Sequence, residues 1–133
     1  MPSSNPAQRF ADIIENIELA RSFVEDRARD KFEANAIEFN AAAYCLLKIS
    51  EAATKLGMLA EELSPDIDWR GVRDIGNVIR HEYDVVSPAV VWKVIHNDFS
   101  ALEADCRNSI RVLEERQREQ DARERDKDRG RDR

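Results

Sequence analysis

The sequence predicts an all-α protein, and three observations carry that expectation. Glycine and proline number only four each in 133 residues, too few turn residues for a many-stranded fold. Charged residues reach 36% and hydrophobic ones 42%, and the apolar positions recur at helical intervals rather than alternating. A chain of this length can bury one modest core, so a single helical domain is expected over residues 1–113, followed by a charged tail over 114–133.

The first helix starts at Ser4 or Asn5, either of which can cap it, with Pro6 in the first turn. Phe10, Ile13, Ile14, Ile17, Phe23 and Val24 then follow helical spacing. Glu25 to Lys31 is densely charged and reads as a bend or a frayed end. Ala42, Cys45, Leu46, Ile49, Ala53, Leu56 and Leu59 mark a second helix, and the small residues Ala41 to Ala43 permit close packing. Ser64-Pro65-Asp66 breaks the chain, and Asp66 or Asp68 can cap a third helix near Trp69. On that helix Val72, Ile75 and Ile79 should face the core, with Arg73, Asn77 and Arg80 on a separate polar face. In projection Arg73 and Arg80 lie within about 20° of each other, and His81 about 80° from Arg73. Ser87-Pro88 opens a fourth helix whose stripe runs through Val91, Val94, Ile95, Leu102, Cys106, Ile110 and Leu113. Trp69 and Trp92, each beside a helix start, read as packing anchors. Beyond Leu113 the apolar stripe stops, so the tail either extends the last helix into solvent or frays.

Charge and cysteine usage narrow the function. A formal net charge of -6 excludes a general nucleic-acid coat, which needs a broad basic field, so any RNA contact must be local. Cys45 and Cys106 are far apart at apolar helical positions and are expected to be buried free thiols. There is no apolar signal core and no run long enough to span a bilayer, which makes the expected location cytoplasmic. His96, beside Asn97 and Asp98, lacks the matching ligands of a metal site. Asp66-x-Asp68 lacks a preceding Gly-Ser turn or strand pattern and is read as capping.

Reactive groups concentrate between residues 69 and 84, where Asn77, Arg80, His81 and Tyr83 gather at one helix end. His81 is one of only two histidines, and histidine exchanges protons near neutral pH. Arg73 and Arg80 are placed to hold a phosphate beside it.

Asn77-x-x-x-His81-Glu82-Tyr83 is the most specific part of a resemblance to the HEPN superfamily, and within it to the HepT-like toxins. The likeness runs from about Arg9 to Leu113 and includes Ile13 to Ile17, Ser50 to Lys55, Trp69-Arg70 and Val91 to Asp98. It implies a four- to five-helix bundle, commonly a homodimer, and a metal-independent ribonuclease acting on RNA such as tRNA or mRNA. It further implies the toxin half of a toxin-antitoxin pair whose antitoxin is a minimal nucleotidyltransferase. The family's site reads Arg-Asn-x-x-x-His-x-Tyr, and here Gly76 occupies the arginine position. Arg80, Arg73 or an arginine from a second subunit are the available substitutes. The resemblance gives Tyr83 the role of adenylylation site, which would make the chain a phosphoprotein. ATP would be used by the partner, and the chain itself would need no cofactor and no metal. His81 would move protons while Asn77 either orients the imidazole or hydrogen-bonds a phosphate oxygen. The alternative is a non-catalytic HEPN module that binds a nucleotidyltransferase, a nucleotide or RNA without cutting.

Overall fold

The computed structural model describes residues 4–24 and 28–131, and every regular element among them is helical. Helix α1 spans Pro6–Val24, α2 Arg29–Ala34, α3 Ala36–Leu56, α4 Leu59–Leu63, α5 Trp69–His81, α6 Pro88–Lys93 and α7 Phe99–Arg131. A 3-10 turn, Tyr83–Val85, follows α5, and a π-helical turn, Val94–Asp98, joins α6 to α7. No described helix is long and apolar enough to cross a membrane.

Helix α3 is the central element, with α1 on one side and α5 on another, and α7 packs on α1. Asn5 starts α1, its side chain accepting from the Gln8 amide at 3.3 Å with Pro6 in the first turn. Phe10, Ile13 and Ile17 are fully buried, as the spacing predicted, and Ala20 joins them. Arg21 donates to Glu103 at 2.7 Å and Arg107 to Glu18 at 2.8 Å, tying α1 to α7 along their polar edges. Arg21, and then Arg107, hold the Glu103 carboxyl below its ordinary range. Both cysteines are free and buried, and burial pushes the Cys106 thiol up to about 12.

The sequence expectation for the segment after α1 needs correction. Residues 25–27 lie outside the described residues, but Arg29 to Lys31 belong to α2 rather than to a bend. Phe32 anchors that helix, fully buried with its ring 5.8 Å from that of Trp92. The second predicted helix also ends earlier than expected. Gly57, at φ 59°, terminates α3 in a left-handed conformation that other residues rarely adopt, and Leu59 falls in the separate helix α4. Asp68, rather than Asp66, caps α5, accepting from the Gly71 amide at 3.0 Å.

Two buried hydroxyls fix the approach to α5. Ser64 and Ser109 share a 2.8 Å hydrogen bond, and the Ser64 carbonyl accepts from the Trp69 indole at 2.9 Å. Trp69, 1% exposed, meets the Phe10 ring edge-on at 6.3 Å. Helix α6 opens on Pro88 as expected, though Ser87 makes no side-chain cap. From there Val91, Ile95, Phe99, Leu102 and Cys106 form a continuous buried stripe across the π turn. Past Leu113 the helix continues to Arg131 with almost every side chain in solvent.

Helix α5 approaches α3 closely because its contact residue has no side chain. A Cβ at position 76 would lie 2.1 Å from Ser50 Oγ and 2.6 Å from Ser50 Cβ. Ser50, fully buried, uses that hydroxyl to donate to the Arg73 carbonyl at 2.8 Å. Gly76→Ala should therefore destabilise the fold by about 1–3 kcal/mol through overpacking. Ser50→Gly in the same chain should recover part of that loss, a coupling that urea denaturation of the four variants would measure. An unchanged midpoint for Gly76→Ala would show that the helices do not depend on this crossing.

Candidate active site

The site is built where α5 crosses α3 and continues into the 3-10 turn. The two helices run antiparallel, so the start of α5 lies by the end of α3, and Tyr83 lies by its beginning. Arg73, Gly76 and Arg80 fall on the flank of α5 that meets α3. The expectation of a polar face apart from the packing is thus corrected: this ridge straddles the helix crossing, with one arginine on either side of Gly76.

The two arginines have different partners. Arg73 is half-buried and donates to the Ala53 carbonyl at 3.2 Å and to the Gly57 carbonyl at 2.8 Å. Its guanidinium also forks onto Glu61 at 2.7 and 3.2 Å. Both carbonyls lie at the C-terminal end of α3, where a cation also meets the negative end of the helix dipole; the Gly57 carbonyl accepts from the Ala60 amide as well, at 3.3 Å. Arg80 stays more exposed. It donates to Asn77 Oδ1 at 3.1 Å and approaches Glu51 at 3.8 Å. Its Nη2 lies 3.5 Å from the point where a Cβ of residue 76 would stand. A guanidinium therefore sits beside the position that carries glycine.

His81 and Asn77 are both exposed, one turn apart on the solvent side of α5. The Asn77 carboxamide is turned to Arg80, and the His81 imidazole makes no hydrogen bond within the described residues. Tyr83 is 41% exposed; its ring lies 6.0 Å from that of Phe39, and its hydroxyl donates to Asn40 Oδ1. Asn77, Arg80, His81 and Tyr83 are thus all exposed near the C-terminal end of α5, whereas Arg73 is tied to the end of α3.

Three contributors lie beyond the motif itself. Glu51 reaches Arg80 from α3, Asn40 holds the Tyr83 hydroxyl, and Ser50 fills the space that Gly76 leaves. The last carries a sequence signal, a small hydroxyl residue beside Ala52 and Ala53 on α3. Glu51 falls in the Ser50 to Lys55 stretch of the resemblance, but nothing in the sequence pairs it with Arg80, and Asn40 carries no signal at all. His96 is stacked on Trp92 at 3.8 Å and its Nδ1 faces the Trp92 carbonyl at 3.0 Å, well away from His81 in sequence and in packing.

A protein-family model described as HepT-like, ribonuclease HepT-like, matches residues 13–109, from within α1 to within α7. No solved structure matches the chain.

The Arg73 hydrogen bonds hold the Glu61 carboxyl below its ordinary range, an effect that outweighs its partial desolvation. A carboxyl lowered in the folded state contributes stability that is complete above its unfolded value, and that contribution is lost as pH falls through the folded one. Glu61→Gln should therefore be less stable than the parent at neutral pH, with the gap closing in acid. Thermal melts of both proteins from about pH 7 to about pH 3 would test this. A gap that widens in acid would contradict the sign.

Proposed function

The chain belongs to the HepT-like ribonuclease family, and from that premise we propose that it is the toxin of a toxin-antitoxin pair, cleaving RNA without a metal and silenced by a nucleotidyltransferase partner. The observation that carries cleavage is the placement of Arg80. Its guanidinium supplies, from the next turn of α5, positive charge beside the position where the family pattern has arginine.

RNA carries its own nucleophile next to the scissile phosphate. As the 2′-oxygen bonds to phosphorus, the His81 imidazole accepts its proton; the P–O5′ bond then breaks, and the leaving oxygen is protonated by the imidazolium or by water. The products are a 2′,3′-cyclic phosphate and a 5′-hydroxyl. Arg80 offsets the negative charge that builds on the phosphorane, and Asn77 positions the Arg80 fork or bonds a phosphate oxygen. Arg73, with four guanidinium hydrogen bonds already made to protein acceptors, contributes by fixing α5 rather than by meeting phosphate. A homodimer fits this arrangement, since Ile37 at 81% and Tyr44 at 59% exposure form an apolar pair two turns apart on α3, the helix that carries Asn40 and Glu51.

His81→Ala should abolish cleavage of tRNA or single-stranded RNA in EDTA, a loss of about 10²- to 10⁴-fold. Arg80→Ala should slow cleavage with little change in stability, whereas Arg73→Ala should chiefly lower stability. Full activity of His81→Ala, or complete inhibition by EDTA, would refute the mechanism. The non-catalytic reading is favoured by one observation, glycine at position 76, and intact RNA in every reaction would select it.

Tyr83 offers the modification site: an exposed phenol two residues past His81, where transferred AMP would set a bulky anion over the imidazole and repel RNA. In transfer the phenolic oxygen attacks the α-phosphorus of ATP held by the partner, forming the O–P bond as pyrophosphate leaves. Mass spectrometry after co-expression with the partner should find AMP on the parent protein and none on Tyr83→Phe, which keeps the ring against Phe39. An adduct elsewhere, or one undiminished in Tyr83→Phe, would refute the assignment.

A further inference from the structure

The flank of α5 turned away from Arg73, Gly76 and Arg80 is only partly covered, with Val72 and Ile75 half-buried against the core. Helix α5 packs on α3, and α6 and α7 do not close over its other side. Between them runs a groove made of two confluent hollows, of about 530 and about 280 Å³, which share Leu46, Gly71, Ile75 and Val94. Its apolar surface continues into solvent at one end, where Val78, Val85 and Val90 are 41%, 70% and 57% exposed.

The rim has a single sign of charge. Asp66, Asp68 and Asp98 border the larger hollow and Asp74 the smaller, and no lysine or arginine lines either. All four carboxylates are exposed, and none forms an ion pair within the described residues; Asp68 alone has a structural duty, as the cap of α5. The π-helical turn shapes one wall, presenting Val94 to the floor and Asn97 and Asp98 to the edge. Turns of this kind are frequent at functional sites.

We propose that this groove is a docking site for an amphipathic, lysine- or arginine-flanked helix of a partner protein. The floor takes apolar anchors at helical spacing, and the unpaired carboxylates take the flanking cations. Along α5 the apolar line from Gly71 to Ile79 covers about 12 Å, room for about two turns of a partner helix. Charge complementarity decides the occupant. RNA would meet a row of carboxylates. A second copy seated symmetrically would oppose the same four acids in a chain whose net charge is already -6. The C-terminal part of α7 past Leu113 has no apolar stripe to fill the floor. The inference stands apart from the ribonuclease reading, because it places the partner on the opposite flank of α5 from Arg80.

The test uses the full chain, labelled with ¹⁵N, and two synthetic helices with one leucine pattern, flanked by lysine in one and by glutamate in the other. The Leu/Lys helix should bind saturably and shift the amides of Val78, Val90 and Val94. Val78→Lys, a change at an exposed position, should weaken binding about tenfold or more, as should Asp74→Lys with Asp98→Lys. Val78→Lys should leave RNA cleavage, wherever the parent shows it, at the parent rate. Equal affinity for the Leu/Glu helix, or shifts centred on Arg80 and His81, would overturn the proposal. So would a parent chain that self-associates in sedimentation and is dissociated by Val78→Lys, since the groove would then belong to a second copy.

Discussion

The contact of Ser50 with Gly76 sets the distance between α3 and α5, and most of what α5 presents follows from that distance. With no Cβ at 76, the Ser50 hydroxymethyl group occupies the space a side chain would take and reaches the Arg73 carbonyl at 2.8 Å. Close packing of this kind leaves little tolerance, since even one added carbon must displace a neighbour. The same closeness brings the two arginines either side of Gly76 within reach of acceptors on α3 and just beyond it. Arginine at position 76 could not be accommodated at this separation, because its first side-chain atom would overlap Ser50. The glycine is thus matched to the serine, and Arg80 brings a guanidinium next to the vacant direction from four residues on.

What separates the arginines is the chemistry of the surface that each one meets. Arg73 faces the C-terminal end of α3, where it meets the Ala53 and Gly57 carbonyls, and the Glu61 carboxylate lies alongside. A planar fork with several donors suits that array better than a lysine would. Arg80 faces the middle of α3, where backbone groups are already paired, and finds only Glu51 at 3.8 Å and the Asn77 carboxamide. An exposed pair at that distance is weak, so the Arg80 charge stays available to an incoming anion. The division follows from the position of the arginines along α3.

Much of this fold was legible in the sequence because long amphipathic stretches carry their own period. The Asn5-Pro6 start, the α1 stripe and the stripe from Val91 to Cys106 need only helical spacing and a cap. Phe32 was hidden because a single aromatic in a charged stretch has no period to join, and its burial depends on Trp92, sixty residues away by count and adjacent only in the folded chain. Gly57 ended α3 one residue after Leu56 although Leu59 prolonged the apolar pattern, since the positive φ there overrides periodicity. At the candidate site, the helix end that gathers Asn77, Arg80, His81 and Tyr83 could be read directly. The division of labour between Arg73 and Arg80 could not, because projection down the axis places them together while their acceptors lie on another helix. Asn40 and Glu51 are brought in by tertiary packing alone.

Helix α5 thereby carries three unlike surfaces in thirteen residues. One meets α3 through glycine and arginine, one exposes Asn77 and His81 to solvent, and one lines an apolar groove edged with acid. A helix clamped at one end by Asp68 and Arg73 and followed at the other by a turn whose Tyr83 is tied to Asn40 has limited freedom to rotate about its axis. Rotation of one surface would carry the other two with it. Any partner that moved α5 from the groove side would therefore act on the Gly76–Ser50 crossing first, since that is the contact with least room.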